Sequence, residues 1–158
     1  MNRKMRDIWN EHVQPGETVY MLGDVGFAKP EILIPFLRSL HGEKHLVTGN
    51  HDKQIKKMRQ RLLDERVFVS MDMAKEIYIG DDYFVLYHYG QRTWNKAHHG
   101  SIHLFGHTHG SLPPLGKSVD VGVDDKNITD EYRPVSLDEV LRFMSKRESH
   151  TKHHDGEG

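Results

Sequence analysis

Cysteine is absent from the 158 residues, so neither a disulfide framework nor a thiolate metal site is available, and the composition fits a reducing, cytoplasmic setting. Long hydrophobic runs are missing as well. No apolar stretch approaches the roughly 18 residues of a transmembrane helix, and the charged segment from Met1 to Val13 lacks the apolar centre of a signal peptide. Charge of one sign is equally scarce. The 22 basic and 23 acidic residues leave a formal −1, which excludes recruitment of nucleic acid or an anionic membrane by a global field. No repeat, linker or second core is visible. The chain therefore reads as one domain over 1–147, followed by a polar tail over 148–158 that has no apolar residue and is expected to be disordered. That tail holds His150, His153 and His154 of the 13 histidines.

Periodicity supplies the elements. Met1, Met5, Ile8, Trp9 and Val13 recur at helical spacing before the turn Gln14-Pro15-Gly16. Thr18 to Leu22 is a buried strand stopping at Gly23, and Leu33, Phe36, Leu37 and Leu40 form a second helical face whose start Pro35 restricts. His45 to Thr48 is the next strand. Lys53 to Leu63 reads as one helix with a basic outer face, either a solvated surface or an anchor for an anionic substrate. Val67 to Ser70, Ala74 to Ile79, Tyr83 to Tyr87, Ile102 to Phe105 and Val119 to Val123 read as strands, with a hairpin at Gly80-Asp81-Asp82. Ser136-Leu137-Asp138-Glu139 has the spacing of a capping box and opens a last helix to about Arg147.

Potential metal ligands gather in the loops that follow four of these strands: Gly23-Asp24, Gly49-Asn50-His51-Asp52, His88, and Gly106-His107-Thr108-His109-Gly110. Carboxylate, amide oxygen and imidazole suit borderline-to-hard divalent ions such as manganese, iron, zinc or nickel. Two histidines separated by one residue in a glycine-flanked loop can point to different ions, whereas in a strand they would share one face.

The order Gly-Asp, Gly-Asn-His-Asp, lone His, Gly-His-x-His resembles the calcineurin-like metallophosphoesterase superfamily, over about Trp9 to Glu139. The resemblance implies an α/β fold, a four-layer α/β/β/α sandwich. It implies hydrolysis of a phosphomonoester or phosphodiester by attack of a metal-bridging hydroxide, with up to two divalent ions. Carried onto this chain, Asp24 bridges the ions, and Asn50, His88 and His107 complete one site. His109 serves the other. His51 becomes the general acid and Asn50 also contacts the phosphoryl group. Arg92 is read as a phosphate contact or a surface arginine, and Trp94 as packing for its loop. Asp52 orients His51 or, the favoured reading, caps the next helix. Phe27 stands where protein phosphatases carry a second Asp, which disfavours that activity.

The family's Asp-x-His block is absent. The second ion is therefore expected to bind weakly, and about thirty residues that form a strand-loop unit ending in that block are expected upstream. The alternative function is a catalytically impaired metal-binding or regulatory domain. Expected partners are a phosphate-ester substrate, with nucleic acid only as a possible substrate, and no membrane.

Overall fold

The computed structural model of the protein describes residues 3–26 and 28–151. Phe27, His153 and His154 lie outside the described residues. In chain order the elements are α1 (Arg3–His12), β1 (Thr18–Met21), α2 (Pro30–Ser39), β2 (Glu43–Val47), α3 (Lys53–Lys57), α4 (Arg59–Asp64), β3 (Ser70–Asp72), β4 (Ala74–Ile79), β5 (Asp82–Tyr87), a 3-10 turn (Ala97–His99), β6 (Ile102–Phe105), β7 (Ser118–Asp120) and α5 (Leu137–Ser145).

The strands form two sheets, β1-β2-β3 and β4-β5-β6-β7. The first is parallel throughout, because α2 and the α3–α4 pair supply the crossovers that parallel neighbours require. In the second, the β4–β5 hairpin is antiparallel and β5-β6-β7 are parallel.

Alternation along the strands decides the layers. Val19 and Met21 of β1 and Leu46 of β2 pack with Trp9, Leu33, Leu37, Ile55 and Leu62, which builds a helical layer on one face of the first sheet. Their neighbours Tyr20, Leu22 and Val47 turn the other way and meet Phe84, Leu86, Ile102 and Val119 of the second sheet. Val140 and Met144 of α5 join this inter-sheet core. Trp94 and Ala97 cover Val85 on the far side. The result is the mixed α/β fold with two packed sheets that the sequence implied, with five α-helices among the described residues where four were expected.

Several local expectations change, among them the strand over Val119 to Val123, which is β7 over Ser118–Asp120. The single helix over Lys53 to Leu63 is two, broken at Met58, whose ψ of 16° leaves the helical range. Val67 and Phe68 are not strand residues. Their amides turn back to the Leu62 carbonyl at 2.9 and 3.4 Å, after Arg66 takes φ +54° to end α4, so β3 begins only at Ser70. Pro35 does not delay α2. Pro30 takes the first helical position, where no amide hydrogen is needed, and Pro35 sits inside the helix. The tail is ordered at its near end. Ser149 Oγ donates to the Ala97 carbonyl, His150 Nε2 lies 2.7 Å from the Arg92 carbonyl, and its ring lies 5.1 Å from that of Trp94. A polar segment without apolar residues is held there by hydrogen bonds and ring packing that composition does not register.

Candidate metal centre

Parallel pairing puts the ends of β1 and β2 side by side, and likewise those of β5 and β6. The loops that leave these ends converge. Each sheet contributes two side chains to one cluster: Asp24 and Asn50 from the first, His88 and His107 from the second.

Glycine lets the two loops of the first sheet touch. Gly23 has φ +96°, and a Cβ there would collide with His88 Nδ1 and sit 2.7 Å from Gly49 N. A Cβ on Gly49 would in turn run into the Asp24 carboxylate and lie 2.8 Å from His88 Cε1. Neither position accepts a side chain. Three site residues, Asp24, His107 and His109, take φ of +54°, +66° and +50°. Non-glycine residues rarely adopt these values, and such strain concentrates at functional sites.

His88 is 1% exposed, and its Nδ1 lies 2.5 Å from the Leu22 carbonyl. A carbonyl only accepts, so Nδ1 carries the proton and Nε2 presents a lone pair. Around that Nε2 lie Asn50 Oδ1 at 2.9 Å, His107 Nδ1 at 3.2 Å and Asp24 Oδ2 at 3.3 Å. His107 Nδ1 is also 3.1 Å from Asn50 Oδ1. One proton on His107 cannot satisfy three acceptors at once, whereas a cation among them can. Donors bonded to a common ion at about 2.1 Å stand about 3.0–3.4 Å apart in octahedral or tetrahedral arrangements. Three of the four spacings fall in that range and the fourth, 2.9 Å, at its lower edge, so the residues fit a divalent ion. Asp24, His88 and His107 form the one such group of ionisable ligands among the described residues.

The other site residues lie differently. The His51 amide donates to Asp24 Oδ1 at 2.9 Å, and the residue is exposed. Arg92 is exposed on the loop after His88. Trp94 is buried and donates through Nε1 to the Ser101 carbonyl, so it packs its loop. His109 stands apart from the four-donor cluster. Its Nδ1 meets Asp124 Oδ2 at 2.5 Å, and that carboxylate raises the imidazole pKa by hydrogen bonding and by its charge.

Asp52 departs from the cap reading. It makes no side-chain cap on α3. Instead its carboxylate, fully buried, accepts the amides of Gly49 at 2.7 Å, Asp24 at 2.9 Å and Val25 at 3.0 Å. It ties the Gly23-Asp24 loop to the Gly49-Asn50 loop. Asp120 does the same for the second sheet. Also buried, it accepts from Thr108 Oγ1, the Gly110 amide and the Gly122 amide, which shapes the His107–His109 loop. Sequence reasoning missed Asp120, whose signal is an acidic residue in a strand with apolar neighbours, Val119 and Val121.

A family profile described as "Calcineurin-like phosphoesterase superfamily domain" matches residues 1–119. The chain belongs to that superfamily. It is 28% identical over 149 residues to an uncharacterized protein of Methanocaldococcus jannaschii, covering 92% of this chain and 76% of the relative. A crystal structure of a protein of unknown function from Aquifex aeolicus aligns with a TM-score of 0.62 at 19% identity, over 88% of this chain and 82% of that one. This likeness shows the fold. Membership in the superfamily points to metal-dependent phosphoester hydrolysis as a class, and the ligand group agrees with it. Among the described residues no helix is long and apolar enough to cross a membrane.

Proposed function

We propose that this chain is a cytoplasmic metal-dependent phosphoesterase that hydrolyses phosphomonoesters or phosphodiesters at the Asp24–Asn50–His88–His107 centre. The observation that carries the reading is the four-donor cluster, with the His88 lone pair turned inward by the Leu22 carbonyl. A divalent ion held there would polarise a phosphoryl oxygen and lower the pKa of water. Asn50 serves as ligand and as a contact to the phosphoryl group. His51, exposed beside Asp24, gives its proton to the departing oxygen, and Arg92 meets the substrate's negative charge from the next loop.

The centre binds one ion more tightly than a second. Asp24 Oδ1, the oxygen needed to bridge two ions, accepts the His51 amide, and His109, the ligand assigned to the other ion, is paired with Asp124. Calorimetric titration with manganese is expected to give one tight site, and two equally tight sites would refute this. Manganese should support hydrolysis of a chromogenic phosphodiester at least as well as magnesium, and a chelator should abolish it. His107→Ala is expected to lose metal. His51→Ala should keep it while turnover falls by roughly 10²–10⁴-fold. A protein that binds its ion tightly but hydrolyses neither a monoester nor a diester would instead be a metal-binding or regulatory domain, the reading favoured if occupancy of Asp24 Oδ1 and His109 disables the centre.

A further inference from the structure

Tyr89 stands beside the centre in a way that ligand chemistry does not require. Its ring centroid lies 4.7 Å from that of His107 and 4.9 Å from that of His88, at 62° and 74° to them. Tyr87 meets it at 5.6 Å and 64°. Three rings fix its position, yet the residue is 38% exposed. Packing against these rings therefore leaves part of the Tyr89 side chain open to solvent on the side of the centre's flank. The next residue, Gly90, is where a second apolar element arrives: a Cβ there would lie 2.5 Å from Leu112 Cδ2. Leu112 is 42% exposed, and its loop, 110–116, contains Leu115 and two prolines but no charged residue. Water-facing apolar groups thus collect on the flank of a polar, anion-attracting centre.

We propose that Tyr89, with Leu112, forms an aromatic-binding wall of this site, so that its preferred substrates are phosphoesters whose non-leaving substituent on phosphorus is a planar aromatic group. The proposal rests on the phosphoesterase reading above. A phosphoryl oxygen at the donor cluster places a substituent on phosphorus within a few ångströms of His107, and Tyr89 lies within ring-contact range of the same histidine. Ring pairs favour centroid separations of about 4.5–7 Å. Tyr89 is held by three neighbours before the substrate arrives, so little side-chain freedom is lost on contact. An alkyl substituent would gain only the apolar contact of Leu112.

The test uses two substrates with one leaving group, p-nitrophenyl phenylphosphonate and p-nitrophenyl methylphosphonate, on the manganese-loaded protein. Taking the ratio of their kcat/KM values, Tyr89→Ala should lower the phenyl-to-methyl preference by about 3–10-fold. Tyr89→Phe should retain it, Leu112→Ala should reduce it by a smaller factor, and metal content should stay unchanged in all three. Calorimetric binding of phenylphosphonate against methylphosphonate reads the same preference without turnover. Phenyl preference in binding with no hydrolysis of either ester, nor of p-nitrophenyl phosphate, would sink the phosphoesterase reading while leaving the wall intact. A Tyr89→Ala variant whose two activities fall together, one that leaves the ratio unchanged, or a wild type without phenyl preference in either assay overturns the proposal.

Discussion

Asp52 shows what a single buried charge does here. Its carboxylate has no salt-bridge partner among the described residues, yet three backbone amides from two loops converge on it, and hydrogen bonds to a charged group are worth about 1.5–3 kcal/mol each. Asp52→Asn keeps the volume but turns an amino group toward at least one of those amides. The variant should be destabilised by about 2–3 kcal/mol in urea unfolding. Manganese affinity should fall roughly 10–100-fold, because Asp24 and Asn50 lose their common support. Wild-type metal affinity in Asp52→Asn would show that the loops hold their shape without it. The candidate ligands Asp24, Asn50 and His107 were legible because each sits in a short motif with its glycine, and His88 from its place between those motifs. Asp52 was not, because its partners Asp24 and Val25 lie 28 and 27 residues away. His109 was legible as a histidine of the motif, but its pairing with Asp124 needed the fold.

At the scale of elements, α5 is the one whose start followed directly from sequence. Ser136 Oγ accepts the Glu139 amide at 3.2 Å, and Glu139 Oε1 accepts the Ser136 amide at 3.0 Å. Arg133 adds two further bonds to the same carboxylate at 2.8 and 2.9 Å, and these hold the Glu139 pKa down at about 2, against an ordinary value of 4.5. A depressed acid pKa stabilises the fold above the unfolded value, and this contribution is lost as pH falls through the interval from about 4.5 to about 2. Urea midpoints measured from pH 7 down to pH 3 should therefore fall more steeply for the wild type than for Glu139→Gln. Parallel curves would mean that the carboxylate keeps its ordinary pKa. Elements with such local signals were read correctly, whereas those decided by packing were not. The break at Met58 and the turn of Val67 and Phe68 back onto the Leu62 carbonyl put Ile55, Leu62 and Phe68 into one core, and the β-prone side chains of Val67 and Phe68 are overridden by that burial.

For the whole molecule, the decisive fact is that the candidate ligand set is divided between sheets. Asp24 and Asn50 follow β1 and β2, while His88 and His107 follow β5 and β6. The side chains packed between the sheets, Val47, Phe84, Leu86, Ile102 and Val119 among them, are apolar and do not by themselves specify how the loops at the edge are set. An ion bound by four residues drawn equally from both sides clamps the sheets at one end, and because the unfolded chain cannot reproduce that cage, binding free energy becomes folding free energy. At 100 times the dissociation constant the gain is about 2.7 kcal/mol, which for a domain of this length raises Tm by roughly 5–10 °C. Thermal unfolding with and without manganese should show that rise in the wild type and in His51→Ala, whose ligands are intact. It should vanish in His107→Ala, which leaves the second sheet with one ligand. Equal rises in all three proteins would place the stabilising ion elsewhere, and no rise in any would mean that the two sheets are not bridged through this cluster.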